Sequence, residues 1–294
     1  MTDYTVTELD LSNLNLTVLP DLSLYTNLQT LYCNNNQLTS LDNLPPNLKR
    51  LYCEYNRITS LNNLPPNLQE LYCKYNQITS LNNLPPTLQE LRCNYNKLTS
   101  LDNLPSTLQE LWCWNNQINS LDNLPPNLQI LHCANNQLTS LGHIHPTLKI
   151  LYCYNNQLTS LDNLPPNLQT LYCENNQLTS LDNLPPTLQE LYCCYNQLTS
   201  LDNLPPKLRT ILCSKNKLTS LENLPLTLRE LYCRNNQIIS FDNLPPKLRT
   251  IYYENNPIYT TCKDIYGFEL SKKTIEKYNE IKRIEKECCC PILK

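Results

Sequence analysis

The sequence predicts a mostly β solenoid: a stack of short coils, each adding one strand to a parallel sheet. Three observations predict it. From Leu31 onward the chain repeats with a period of 20 residues, the copies beginning at Leu31, Leu51, Leu71 and so on to Ile251, with no insertion or deletion. Within each copy the same apolar positions return, and an Asn column runs unbroken from Asn36 to Asn256. Each copy also carries a Pro-Pro pair or a near variant of it, and the chain holds 22 Pro and only 2 Gly. A unit of this size cannot bury its own apolar face, so the copies must stack, and stacking in register makes a parallel sheet with Leu, Cys and Asn columns inside.

The strand comes first in each unit. In the copy around Leu51, the apolar Leu51 and Cys53 alternate with positions 50, 52 and 54, the period-two pattern of a short half-buried strand. After Asn56 the apolar spacing becomes three, through Ile58, Leu61 and Leu64, and then meets Pro65 and Pro66. Two prolines withhold donors from a helix, and a residue before proline is pushed out of the α region. The return leg is therefore expected to be extended or polyproline-II-like. A longer, degenerate copy precedes the regular ones, with Leu9, Leu11 and Leu14 placed 22 residues ahead of Leu31, Cys33 and Asn36. Residues 1–258 thus form one solenoid of about thirteen units.

The buried polar columns have structural readings. An Asn inside a core is tolerable only if its amide satisfies backbone groups of its own turn and of a neighbouring coil. Eleven of the 16 Cys recur once per coil, from Cys33 to Cys233, as small apolar side chains pointing into the same core. Their parallel side chains strain the disulfide dihedral, and a 20-residue ladder lacks the clustered spacing of a metal site. Reduced thiols, no signal-peptide pattern and no apolar run long enough to span a bilayer lead to an intracellular, cytoplasmic expectation. A net charge of −3 argues against a nucleic-acid partner.

The run LQELYCKYNQITSL at 68–81 resembles the leucine-rich repeat pattern LxxLxLxxNxL, with Cys73 in the last strand Leu slot and Asn76 in the Asn slot. The 20-residue unit with NLPPNLQEL is similar to the short repeats of bacterial virulence effectors, and the Cys-bearing version resembles repeat proteins of giant amoeba viruses. The resemblance covers residues 6–258. It implies a right-handed horseshoe of the α/β type, here mostly β, with the parallel sheet on the concave face, and a host-cytoplasm setting. A scaffold of this kind serves many partners, so function has to be read from the variable letters.

Those letters sit in the outward columns of the sheet. The middle column is aromatic for most of its length, with Tyr52, Tyr72, Trp112, His132, Tyr152 and others. The preceding column groups Glu70, Glu90 and Glu110, then Ile130 and Ile150. Trp112, Trp114, Ile130, His132, Ile150, Tyr152 and Tyr154 are expected to form an aromatic patch with an acidic flank, in a chain whose only 2 Trp are these. Rigidly presented Trp and Tyr are the usual anchors of protein interfaces. Two other readings stand beside a protein-binding face: cross-strand packing of the Tyr column alone, and stacking of the Tyr and Trp rows on sugar rings. No catalytic, cofactor-binding or metal-binding residues are assigned, and a His-x-His at His143 and His145 reads as drift in one loop.

Residues 259–294 depart from the repeat. Ser271 is a plausible N-cap for an amphipathic helix with Ile275, Tyr278, Ile281 and Ile284 on one side, which would cap the open end of the stack. Cys288, Cys289 and Cys290 are candidate acylation sites, the one feature that would bring the chain to a membrane. Cys262 and Asp264 match a Cys-x-Asp motif that the resembling effectors place in a ubiquitin-ligase domain. The 36 residues left here are too few for that large helical domain. The chain is read as a non-catalytic scaffold.

Overall fold

The structure is a computed structural model that describes residues 4–242 and 244–258. The chain divides into two compact units, Met1–Gln157 with Asn163–Leu168, and Leu158–Asp162 with Gln169–Lys294. The first holds strands β1 (Glu8–Asp10), β2 (Thr30–Tyr32), β3 (Arg50–Tyr52), β4 (Glu70–Tyr72), β5 (Glu90–Arg92), β6 (Glu110–Trp112), β7 (Ile130–His132) and β8 (Ile150–Tyr152). The second holds β9 (Thr170–Tyr172), β10 (Glu190–Tyr192), β11 (Thr210–Leu212), β12 (Glu230–Tyr232) and β13 (Thr250–Tyr252). In each unit every strand pairs in parallel with the next in sequence, and the register is the repeat itself: Leu51 opposes Leu71, and Leu191 opposes Ile211. The degenerate first copy joins as its spacing requires, Leu9 opposite Leu31.

The core columns are closed. Leu51, Cys53 and Ile58, with their equivalents in the coils from Leu31 to Leu231, are 0% exposed, while in the end coils Leu9 and Ile251 are half-buried. Burial pushes the thiols of Cys33, Cys93 and Cys133 up to about 12, because a thiolate in this apolar column would have no solvation. Each Asn amide ties two coils together. Asn76 Nδ2 donates to Cys53 O in the preceding coil at 3.0 Å and to Cys73 O in its own at 3.1 Å, while its Oδ1 accepts from Ile58 N at 2.9 Å. Leu14, in the Asn slot of the first coil, has no amide to offer and is 56% exposed.

The return leg carries no helix between the strands of the described residues, as its prolines require, and is punctuated by two tight turns. One is closed by Leu68 N donating to Pro65 O at 3.2 Å. The other places an Asn in the left-handed region, Asn63 at φ 61°, where Asn is among the few side chains tolerated. This turn corrects the sequence expectation for the third apolar position. Leu64 is half-buried and Pro65 is buried in its stead, because the left-handed residue turns the chain by one position before it re-enters the core.

One loop solves the same problem differently. In LGHIHP the left-handed residue is Gly142, at φ 60°, one position earlier than the usual Asn. A Cβ there would lie 2.8 Å from Asp122 Oδ1. The earlier turn brings Ile144, 4% exposed, into the core slot that proline fills in neighbouring coils, and leaves His143 and His145 in solvent. The expected C-terminal helix, Cys262, Asp264 and Cys288 to Cys290 lie outside the described residues.

Candidate functional site

The candidate site lies on the solvent face of the first unit's sheet, where the register of three-residue strands sets every neighbour. Glu70 opposes Glu90, Glu90 opposes Glu110, and Glu110 opposes Ile130, which opposes Ile150. One residue pair along, Tyr72 opposes Arg92, then come Trp112, His132 and Tyr152. The acidic row and the aromatic row therefore run side by side, as the columns predict.

The aromatic residues form a packed cluster. His132, Trp112 and Tyr152 form a triangle, with ring-centroid distances of 5.2 Å from His132 to Trp112, 4.7 Å from His132 to Tyr152 and 6.3 Å from Trp112 to Tyr152, and Trp114 and Tyr154 close over the imidazole, each at 5.5 Å. Tyr154 OH is 3.5 Å from His132 Nε2. Trp112, Trp114, Ile130, Ile150, Tyr152 and Tyr154 remain half-buried. His132 departs from its expected outward place: it is 7% exposed, and Ala134 beneath the cluster is 0% exposed. The physical reason is size. Ala134 leaves a gap between the large side chains of Trp114 and Tyr154, which fold over the imidazole. Burial lowers the His132 pKa to about 4, so the ring is neutral at pH 7. Trp112 Nε1 and His132 Nδ1 are buried without a hydrogen-bond partner.

The acidic flank is partly neutralised. Arg50 Nε pairs with Glu70 at 3.1 Å, and Arg92 pairs with Glu90 at 2.7 Å. Tyr72 OH donates to Glu90 at 2.8 Å, and Tyr52 OH to Glu70 at 3.4 Å. Burial, then the bond to Glu90, pushes the Tyr72 phenol well above its ordinary range. Arg92 also spans Tyr72 and Trp112, its guanidinium 4.3 and 5.0 Å from their ring centroids, so it links the acidic row to the aromatic cluster. Its signal in the sequence is that it interrupts the Tyr column.

A second aromatic row was not anticipated. Tyr55, Tyr75 and Tyr95 stack with ring centroids 4.5 and 4.0 Å apart, and Tyr95 meets Trp114 edge-on at 4.6 Å. All three tyrosines hold left-handed backbone, φ 55°, 55° and 53°, at a position where Asn35, Asn115 and Asn135 stand in other coils. The signal was three consecutive copies in which Tyr replaces Asn, a costly exchange at positive φ. In several pairs the ring faces are turned to one another, Tyr32 on Tyr52 at 4.7 Å and His132 on Tyr152 at 4.7 Å as in the new row, whereas Tyr52 meets Tyr72 edge-on.

Comparison with known proteins agrees with this architecture. The family model for leucine-rich repeats (two copies) matches residues 46–86, 86–126, 126–166, 146–186 and 166–206. Among curated proteins no significant match is found. Three similar solved structures place the fold in context. The leucine-rich effector protein YopM from Yersinia pestis is 32% identical, with a TM-score of 0.72 over 85% of this chain and 78% of that one. The functional domain of InlJ from Listeria monocytogenes, which includes a cysteine ladder, is 30% identical with a TM-score of 0.61. That match covers 85% of this chain and 53% of InlJ, so the chain spans about half the length of that structure. The leucine-rich repeats of FLRT2, in an octameric complex with Latrophilin 3 and Unc5D, are 25% identical with a TM-score of 0.65 over 79% of this chain and 86% of that one.

Proposed function

The chain belongs to the leucine-rich repeat proteins, and from that premise we propose that it is a non-catalytic scaffold binding a protein partner through the solvent face of its sheet. The contact centres on Trp112, Trp114, Ile130, Ile150, Tyr152 and Tyr154, with Glu70, Glu90 and Glu110 at its acidic edge and Tyr52 and Tyr72 beyond. The observation that carries this reading is the way the aromatic rings are spent. His132 fills the inside of the cluster, leaving large, rigid and half-buried Trp and Tyr side chains around it. Such residues bury much area at low entropic cost when a partner docks. Two orphan polar atoms, Trp112 Nε1 and His132 Nδ1, add a local penalty of the sort that recurs at functional sites.

The glycan reading is weaker for the same reason. A sugar ring needs an open aromatic face, and the faces of Tyr32, Tyr52, Tyr75, Tyr95, His132 and Tyr152 are turned to one another. The FLRT2 repeats, seen in a complex with other proteins, are a precedent for the scaffold role. The buried thiols support an intracellular setting, including a host cytoplasm if the chain acts like the effectors it resembles. No helix of the described residues is long and apolar enough to cross a membrane.

The test compares wild type with Trp114→Glu/Ile150→Glu as baits in affinity capture, after both are matched in thermal unfolding. Partners held by wild type and lost by the variant are expected. Identical partner sets would remove the proposed site, and glycan-array binding that both baits share would put the glycan reading in its place.

A further inference from the structure

The second unit carries a different surface. In the column just before each strand most coils hold Gln, as at Gln69, Gln89, Gln109 and Gln189, but three consecutive coils hold Arg209, Arg229 and Arg249. Their main chains are locked side by side: Arg229 N donates to Arg209 O and Arg249 N to Arg229 O, both at 2.8 Å. Two positions earlier stand Lys207 and Lys247, and all five cations are exposed. In the first unit these same two columns line one common groove of about 540 Å³, through Asn27, Gln29, Asn47, Lys49, Asn67 and Gln69. The five cations therefore belong to one side of the coil.

Nothing in the fold requires this arrangement. Like charges directly opposite one another on neighbouring strands are destabilising. The ion pairs of the described residues are Arg50 with Glu70, Arg92 with Glu90, and Arg234 with Glu254, so none of the five is neutralised that way. Glu230, next to Arg229 in sequence, and Glu190, opposite Thr210, make no ion pair with the row. The lysines also displace residues that tie coils together: Thr227 Oγ1 donates to Pro206 O and Leu208 O at 2.7 Å, and Asn127 Nδ2 to Ser106 O at 2.8 Å. Five positions have thus exchanged a neutral or cross-coil-bonded side chain for an unpaired cation, and a local rule broken without a compensating contact marks a functional surface.

We infer that the face of Arg209, Arg229, Arg249, Lys207 and Lys247 docks an acidic segment of a polypeptide partner. The three arginines spring from main chains that span about 10 Å at the strand spacing, and the geometry of a guanidinium fork suits carboxylates taken two donors at a time. Leu226, 71% exposed between the flanking coils' Pro206 and Pro246, offers an apolar contact beside the charges. The stretches 205–209, 225–229 and 245–249 hold no Trp, Tyr or Phe. They lack the anchors of a membrane interface and the stacking platforms of single-stranded nucleic acid. Of these three classes of anion, carboxylates on a peptide need neither and match the guanidinium donors.

The experiment uses the full chain and a short fluorescent poly-glutamate peptide, read by anisotropy at about 50 mM salt, where surface charges are weakly screened. Binding is expected, and should weaken about tenfold or more in Arg209→Gln/Arg229→Gln/Arg249→Gln. The triple variant restores the residue other coils use, so its thermal midpoint should equal or exceed that of wild type, while Trp114→Glu should bind the peptide normally. The inference is overturned by absence of peptide binding, by equal binding of the triple variant, by a lowered midpoint that makes the arginines structural, or by binding confined to phosphatidylserine vesicles or to an oligothymidine strand.

Discussion

His132 lies flat against Tyr152, with ring centroids 4.7 Å apart and planes 13° from parallel, in a cluster that leaves the imidazole 7% exposed. An imidazole held there is neutral, and its pKa falls to about 4 because burial opposes the charged form. In the unfolded chain the same ring titrates near its ordinary value of 6.5. Between those values the unfolded state binds the extra proton, so this group makes stability fall as pH drops from about 6.5 to 4. The loss should reach roughly 3 kcal/mol. Glu174, raised to about 7 by burial, works with the opposite sign, so the clean measurement is the difference between wild type and His132→Phe in urea unfolding at pH 7 and pH 4.5. A difference independent of pH would contradict the buried neutral imidazole.

Removal of one rung from the Asn ladder should be costly. Asn136 donates to Cys113 O at 3.1 Å and to Cys133 O at 3.0 Å, and accepts from Ile118 N at 2.9 Å. Asn136→Ala leaves those backbone groups buried and unpaired, a loss on the order of 3 kcal/mol. Chemical denaturation should register it as a lower midpoint. An exposed amide such as Asn47, which makes one bond to Thr26 O, should cost no more than about 1 kcal/mol when replaced by Ala.

The thiol ladder should make the fold sensitive to alkali. The thiols of Cys33, Cys93 and Cys133 are raised from an ordinary 9.0 to about 12 by burial, and Cys53, Cys73 and Cys113 are also raised well above it. The unfolded chain releases these protons first, so stability is full below pH 9 and is lost as pH rises toward 12. Each thiol contributes about 1.4 kcal/mol per pH unit in that window. The expected result is cooperative unfolding soon above pH 9, followed by circular dichroism, with Cys133→Ala shifting the midpoint upward. At pH 7.5 a water-soluble thiol reagent should label the core cysteines only on the timescale of unfolding.

Gly142 should tolerate Asn better than Val. Its φ of 60° is a conformation that Asn adopts in the same loop of other coils, as at Asn123 and Asn163. A β-branched residue there should cost about 1–2 kcal/mol, and its Cβ would press on Asp122 Oδ1 at 2.8 Å. Comparing Gly142→Asn with Gly142→Val by thermal unfolding, with Asp122→Ala in the background to release the contact, separates the backbone penalty from the steric one. Equal midpoints for the two variants would show that φ at this position is not constrained.

What the sequence alone determined is everything governed by translation from coil to coil. A 20-residue period copies each coil onto the next, so the strand register, the buried Leu and Cys columns, the Asn ladder and the neighbours of Trp112 along the sheet could be read from letters and spacing. What only the tertiary structure decided is what depends on side-chain size and turn angle within a coil. Pro65 is buried in place of Leu64, and Ile144 moves inward behind Gly142, because a left-handed residue rotates the chain by one position. His132 sinks under Trp114 and Tyr154 because Ala134 leaves them room, and the Tyr55, Tyr75 and Tyr95 rings meet only because each accepts left-handed backbone. Periodicity specifies which residues are neighbours; the volumes around them specify which of those neighbours stay in contact with water.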